Sequence, residues 1–395
     1  MRIDRPTALL GGLSPLAFMR RHWQKKPLLV RAALPSRTPA IDARRLFALA
    51  AREDVESRLI VERSGRWSVR HGPLARRALP PLKSAGWTLL VQGVDLHDEA
   101  ARRLLERFRF VPDARLDDVM LSYASDGGGV GPHVDSYDVF LLQVEGRRRW
   151  RIGRPAMATL RDDVPLRMLA HFEPEQEWLL EPGDMLYLPP DWSHEGVAQG
   201  PCITASVGFR APRADQVANE ALQRLLEAAA DDAAAVAAIA GGDVGPAPPG
   251  RRYRDAAQPA TDRPARIPAA MQGFVDAAID RLLADRRGRQ RALGEVLSEP
   301  KAGTRFESHD ASAGGVGAVL DRRTRMLYDD RHVYINGESY HAGGTDAVLM
   351  RRLADRRRLD AAAVARLGAE ARALLDQWAA DGWCAPAAPP TKEER

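Results

Sequence analysis

Cysteine is almost missing from this chain. Cys202 and Cys384 are the two present, and they lie far apart. Two distant cysteines make neither a disulfide framework nor a zinc pattern. Cys202 sits in the apolar, strand-like CITASVGF and is expected to be a buried packing residue. Lysine is scarce as well, with five among the 58 basic residues. Long apolar runs are missing too. No stretch approaches the roughly 18 to 20 residues that a membrane-spanning helix needs, and the opening MRIDRPTALLGGLSP lacks the apolar core of a secretory signal. A cytoplasmic protein with no membrane partner is the expectation. The net charge of +5 is a weak pointer to nucleic acid. Arginine is spread along the whole chain beside many alanines and prolines, a general coding bias rather than a groove, so nucleic acid is not expected as the primary partner.

What is present divides into three sections. A chain of 395 residues exceeds one ordinary core. Residues 1–212 carry short β-like runs (SRLIVE, RWSVR, WTLLVQGV, DVMLSYA, DVFLLQV, RRRWRI, EWLLEP, DMLYLPP, CITASVGF) punctuated by Gly, Pro and Asp, the pattern of a barrel or sandwich. A turn at Glu145-Gly146 separates DVFLLQV from RRRWRI. Early helices are expected at 14–22, 42–51 and 96–108. Residues 213–298 turn helical around a Pro/Gly/Arg-rich connection at 243–268. Apolar stripes run through Leu222, Leu225 and Leu226, and through Val275, Ile279 and Leu282; they need an apolar partner, and a homodimer is expected. Residues 299–395 combine strands (GAVLDRRTRMLY, HVYINGESYH) with helices at 346–357 and 360–381. Asn336-Gly337 marks a tight hairpin, and the whole reads as winged-helix-like. The tail APAAPPTKEER is expected to be disordered.

The chemistry concentrates in GGGVGPHVDSYDVF, residues 127–140. On a strand, residues two apart share a face, so His133 and Asp135 project together while Val134 points away. They are two thirds of a 2-His-1-carboxylate triad, which holds Fe(II) on one face and leaves other positions open. The best placed second histidine is His194, just past EPGDMLYLPP, a turn, an apolar strand and two prolines that end its pairing. A rival pair, His171 and Glu173, is followed at once by Pro174 and reads as a surface turn. In RRRWRI, alternation sets Arg148, Trp150 and Ile152 on one face and Arg147, Arg149 and Arg151 on the other. If Trp150 and Ile152 face inward, so does Arg148, and a buried guanidinium needs an anion. A carboxylate ligand supplies one as a bidentate pair. The bland alternative is a solvated hairpin in which Arg148 meets a nearby acid.

Together with RHWQKKPLLV at 21–30, SRLIVERSGRWSVRHGP at 57–73, GRRRWRIG at 146–153 and SVGFRAP at 206–212, these motifs resemble the bacterial JmjC-type ribosomal oxygenases. These are Fe(II)/2-oxoglutarate-dependent arginine hydroxylases acting on a large-subunit ribosomal protein. The resemblance implies an α+β fold: a catalytic double-stranded β-helix (cupin or jelly-roll, JmjC type), a helical dimerisation segment and a winged-helix-like end. It implies that His133, Asp135 and His194 bind Fe(II), that Arg148 salt-bridges the distal carboxylate of 2-oxoglutarate, that Ser122 helps hold it, and that Ser206 lines the site. It implies consumption of O2, release of succinate and CO2, and hydroxylation at the β-carbon of an arginine. Tyr137 and Asp138 are expected at the entrance, where an acid suits a cationic substrate; the alternative for Asp138 is a turn residue capping the strand. Three rivals remain open: the same chemistry on a histidine of another ribosomal protein or on RNA, a non-oxygenase metal cupin, and a DNA-binding 2-oxoglutarate sensor. The last would use AVLMRRLADRRR at 347–358, which has five arginines but no Asn, Gln, Ser or Thr to read bases.

Overall fold

A computed structural model of the chain describes residues 2–34, 42–154, 159–239, 253, 265–308, 317–341 and 343–387. The connection expected at 243–268 and the tail expected from 385 lie mostly outside those residues. The chain forms two compact units, Met1–Ala211 and Pro212–Arg395. No helix among the described residues is long and apolar enough to cross a membrane.

The first unit is built on antiparallel strands β1 Leu28–Val30, β2 Ser57–Arg63, β3 Arg66–His71, β4 Trp87–Val91, β5 Leu116–Ala124, β6 His133–Val134, β7 Val139–Gly153, β8 Gln176–Leu180, β9 Met185–Leu188 and β10 Ser193–Phe209. Their order is β1-β9-β7-β10-β5-β4-β2-β3, with β6 added to β10 and β8 to β7. β7 and β10 are long enough to serve two walls. The early half of β7 pairs with β9 and its later half with β8. Along its other edge runs β10, whose later half also pairs with β5 and whose first residues pair with β6. Two walls that share two strands are the double-stranded β-helix expected from the sequence.

The walls meet at a corner where both long strands bend. Gly146 (φ 63°) and Gly200 (φ 78°) lie there, and a Cβ on Gly146 would come within 2.2 Å of the Pro201 carbonyl oxygen. The turn expected at Glu145-Gly146 is therefore a bend inside one strand of 15 residues. Pairing is interrupted at the bend, where Gly146 and residues 200–202 have no partner across the two strands, and resumes beyond it because β10 bends alongside.

Three helices close the outside: α1 Pro15–Arg21, α2 Ala43–Ala50 and α3 Glu99–Glu106, capped by Ser14, Asp42 and Asp98. The cap at Asp98 explains why the helix expected over 96–108 begins later, after a separate 3-10 turn at Val94–Leu96. Aromatic residues fasten the helical layer to the sheet. The Phe18 ring lies 4.9 Å from Tyr187 and 5.5 Å from Phe140, and Trp23 lies 5.0 Å from Phe209. Each such side chain contributes roughly 1.5 to 3 kcal/mol on burial.

The second unit contains α4 Ala214–Ile239, α5 Ala269–Ala284, α6 Arg286–Ser298, β11 Gly317–Leu320, β12 Met326–Tyr328, β13 His332–Ile335, β14 Glu338–His341, α7 Gly344–Arg356, β15 Arg358–Leu359, α8 Ala361–Ala365, α9 Ala369–Ala380 and β16 Cys384–Ala387. β15-β11-β16 and β12-β13-β14 are separate three-stranded sheets. Asn336 and Gly337 turn the last hairpin with φ 49° and 91°. GAVLDRRTRMLY, expected as one run, is split between the two sheets by a turn that bonds the Thr324 N–H to the Asp321 carbonyl. The helix expected over 360–381 breaks before Gly368, whose N–H goes to the Asp346 carboxylate instead of a helix carbonyl. Leu225 is buried where α4 crosses Gly288 of α6. Other members of the predicted stripes stay open: Leu222 is 39%, Leu226 56%, Val275 47% and Ile279 49% exposed.

Candidate metal and keto-acid site

The glycine run explains how two distant histidines come to face each other. The Gly127 N–H bonds to the Ala198 carbonyl, and the Ala198 N–H returns to Gly128. A Cβ on Gly129 would lie 2.6 Å from the Gly196 carbonyl oxygen, and one on Gly128 2.4 Å from that of Trp87. Only glycine lets the run lie this close to β4 and β10. β6 then enters the ladder with His133 directly opposite His194. The sequence placed His194 just beyond the strand Met185–Leu188; it opens the next strand, β10. Asp191 with φ 66° makes the intervening turn, and its N–H bonds the Asp135 carbonyl.

The two imidazole rings lie 4.2 Å apart. The Asp135 Oδ2 is 3.6 Å from His194 Nε2 and 4.0 Å from His133 Nε2. One ligand atom from each residue falls within 4.8 Å of the others, and no other group of three such side chains converges among the described residues. In each ring Nδ1 sits 3.0 Å from the carbonyl two residues earlier, Gly131 for His133 and Trp192 for His194. A carbonyl only accepts, so Nδ1 carries the hydrogen and the Nε2 lone pair points at the cluster, the arrangement of metal-ligating histidines. Burial, then the neighbouring His133, pushes the His194 pKa down to about 4, which keeps the ring neutral. His171 and Glu173 are exposed, as the sequence indicated.

Beside the triad lies a cavity of about 430 Å³. Arg148 lines it although only 5% exposed. Its Nη1 donates to Ser122 Oγ at 3.1 Å, while Nε and Nη2 are buried without a partner. An uncompensated buried guanidinium is strongly unfavourable, so this cavity is built for an anion. A carboxylate would engage the two free donors and the Ser122 hydroxyl. Arg147 and Arg149 face outward, and Arg149 pairs with Glu177 at 2.6 Å. Ser206 lines the cavity as well. The residues present thus fit both groups: a facial donor set for Fe(II) and an anion seat for a dicarboxylate.

Tyr137 lines the cavity, and its hydroxyl pKa is raised by burial and by Asp135. Asp138 corrects the sequence reading. It is fully buried and faces away from the cavity, accepting from Tyr187 Oη at 2.7 Å and Gln24 Nε2 at 3.1 Å, with Arg115 at 3.5 Å. Alternation along β7 is the reason: Val139 and Leu141 line the cavity, and Asp138, just before the strand, takes the side of Phe140, against the aromatic layer. The acids that do line the cavity, Asp117 and Asp118 at the start of β5, were missed. The signal was available, since Asp118 and Met120 lie four and two residues before Ser122 on the same strand face. The remaining wall is not a strand. Leu166 and Arg167 line the cavity from the segment after β7. That segment closes on itself through a Leu160–Leu169 bridge and is held by the Leu169 N–H on the Pro132 carbonyl and by buried Met168 against Gly131.

Comparison with known proteins places the same chain beside oxygenases. The JmjC domain pattern matches residues 103–217, and the ROXA-like winged helix pattern matches residues 281–385. The chain is 41% identical over 214 residues to the ribosomal protein uL16 3-hydroxylase of Escherichia coli K12; the match takes in 53% of this chain and 57% of that protein. The chain thus spans about half the length of the curated relatives it matches. The X-ray structure of E. coli ycfD superposes with a TM-score of 0.78 at 29% identity, covering 94% of this chain and 98% of that one. A second E. coli structure, described as the ribosomal oxygenase YcfD with cobalt and 2-oxoglutarate, superposes with a TM-score of 0.68 at 29% identity over 94% and 98% of the two chains. These likenesses bear out the family resemblance read from the sequence motifs.

Proposed function

We propose, on the premise that this chain joins a JmjC domain to a ROXA-like winged helix, that it is an Fe(II)/2-oxoglutarate-dependent dioxygenase hydroxylating the β-carbon of an arginine in a large-subunit ribosomal protein. The observation that carries the reading is the His133–Asp135–His194 cluster beside a buried arginine with two unpartnered nitrogens. His133, Asp135 and His194 would hold the metal. Arg148 and Ser122 would seat the distal carboxylate of 2-oxoglutarate, and Ser206 would flank it. Bound there, Fe(II) and 2-oxoglutarate supply the oxidising chemistry: the keto acid becomes succinate and CO2, O2 is consumed, and one oxygen atom enters a substrate C–H bond. The protein orients the reacting groups and keeps the site shielded. Asp117 and Asp118 give the cavity an acidic side that suits a guanidinium, and the 3-hydroxylase relative makes a ribosomal protein the substrate to test. The reading is checked by mass spectrometry of ribosomal proteins from cells with and without the gene. One arginine-containing peptide is expected to gain the mass of a single oxygen. Gain on a histidine peptide would move the target to the second substrate class, and no gain on any ribosomal peptide would remove the reading.

The division into a catalytic part (1–212), a helical part (213–298) and a winged-helix-like part (299–395) belongs to the same proposal, with the helical part joining two copies. The support is an exposed stripe on α5, where Met271, Val275, Ile279 and Leu283 recur every four residues and are 39–49% exposed. Full-length protein is expected to sediment as a dimer at micromolar concentration, and Ile279→Glu with Val275→Glu as a monomer that still binds metal. A monomeric parent protein would defeat the dimer.

A further inference from the structure

The cavity face of β7 changes phase along the strand. Before the corner its cavity-lining residues are odd, Val139 and Leu141; after it they are even, Arg148 and Trp150. β10 keeps one phase throughout, with His194, Ser206 and Gly208 all lining the cavity. The register locates the change. Thr204 pairs with Gln143 and Ile203 with Glu145, so Val144 is an extra residue with no partner on β10, a β-bulge. The other irregularity, between Gln199 and Ile203, runs four residues on β10 against two on β7 and leaves both phases intact. Because side chains alternate with period two, one extra residue moves every later side chain to the opposite face. Had the ladder run on regularly, Arg147 and Arg149 would face the cavity and Arg148 would face solvent.

A bulge disrupts the ladder locally, and here one side chain reaches carbonyls on both strands around it. Gln143 is fully buried. Its Nε2 lies 2.9 Å from the Glu145 carbonyl oxygen, 3.4 Å from that of Gly146 and 3.4 Å from that of Ile203, spanning both strands at the corner. Its Oε1 accepts from the hydroxyl of Thr204, also fully buried, at 3.0 Å. The main chain of Gln143 is tied elsewhere, to Asp184 and Gly183 in the turn before β9. The Thr204 carbonyl in turn accepts from Ser122 Oγ at 3.4 Å, and Ser122 receives Arg148 Nη1. A continuous chain of polar contacts therefore joins the bulge to the anion seat.

We propose that Gln143, oriented by Thr204, is a positioning residue for 2-oxoglutarate binding: it clamps the Val144 bulge and so selects Arg148 as the arginine that enters the cavity. Gln143 does not line the cavity and touches no reacting group. The inference rests on the reading of Arg148 as the seat of the keto acid's distal carboxylate.

The test uses full-length protein loaded with Mn(II), with 2-oxoglutarate affinity measured by calorimetry and Mn(II) affinity by the signal of free Mn(II) in electron paramagnetic resonance. Gln143→Met keeps the shape of the side chain and removes both polar ends. Thr204→Val removes only the orienting hydroxyl. Gln143→Met is expected to weaken 2-oxoglutarate roughly tenfold or more through loss of the clamped carbonyls, with Mn(II) affinity unchanged. Thr204→Val is expected to move the same way by less, and it carries the reading should Gln143→Met fail to fold. Parent-like 2-oxoglutarate affinity in a folded Gln143→Met, or in Thr204→Val alone if the first does not fold, overturns the inference. So does an equal loss of Mn(II) and 2-oxoglutarate, which marks general loosening. Arg148→Ala separates the two layers: if it binds 2-oxoglutarate normally, the functional reading itself fails, whereas weak binding there with normal binding in Gln143→Met sinks only the clamp.

Discussion

Alanine at His133, Asp135 or His194 is expected to abolish succinate formation and metal retention while leaving the fold intact. All three residues offer a ligand atom to one point, and two remaining ligands form no stable facial site. The loss should exceed the about 10- to 100-fold that removal of an outer-shell partner costs. The fold should survive because His133 and Asp135 are only partly buried and their strand β6 contributes two residues to a ten-stranded sheet. His171→Ala, on the exposed segment before β8, is the control and should turn over normally. Metal content after gel filtration, 2-oxoglutarate turnover and thermal unfolding read the three parts of the expectation separately. Normal turnover in any of the triad variants would end the assignment of that residue.

Arg148→Ala should have the second largest effect. A keto-acid carboxylate placed in this cavity without its guanidinium is a buried, unpaired charge. Breaking a buried pair costs about 3 to 5 kcal/mol, which corresponds to a loss of affinity of about a hundredfold to a few thousandfold. The neighbours give the contrast. Arg147 is exposed and Arg149 holds a surface pair with Glu177; such pairs are worth about 1 kcal/mol or less. Titration of 2-oxoglutarate against the three single variants distinguishes the residues. Equal sensitivity across all three would mean that bulk positive charge, not one placed arginine, attracts the cosubstrate.

The metal cluster was legible because two spacing rules suffice for it. His-x-Asp on a strand gives a shared face, and the Pro-Gly-Asp turn before an apolar strand locates the second histidine near the same rim. Arg148 was legible for a less secure reason. Its face was counted outward from Trp150 and Ile152, after a turn that does not exist, and the assumed turn reset the phase as the bulge at Val144 does. The face of Asp138 was not legible. Val139 to Gln143 are all buried, since β7 is covered on both sides there, so burial pattern offers no alternation from which to choose a side. Asp117 and Asp118 were overlooked because two adjacent acids at a strand entrance look like a solvated turn until the strand's inner face is known. In the second unit the stripes on α4 and α5 were read correctly as apolar, but periodicity alone does not tell which residues find cover. Leu225 does so because Gly288 leaves room for it.

The cavity wall formed by Leu166 and Arg167 gives the molecule a division of labour. Each residue proposed to meet the metal or the keto acid sits on a strand or at its end, where register fixes position and a single insertion is ruinous. The facing wall lies outside the ladder: the Leu169 N–H ties it to the Pro132 carbonyl and buried Met168 packs against Gly131, while residues 159–165 before them are mostly exposed and free of the ladder's arithmetic. Changes confined to that exposed stretch leave the register that places the triad and Arg148 untouched. Variants randomised over residues 159–165 are therefore expected to keep the metal and 2-oxoglutarate affinity of the parent protein, which calorimetry checks.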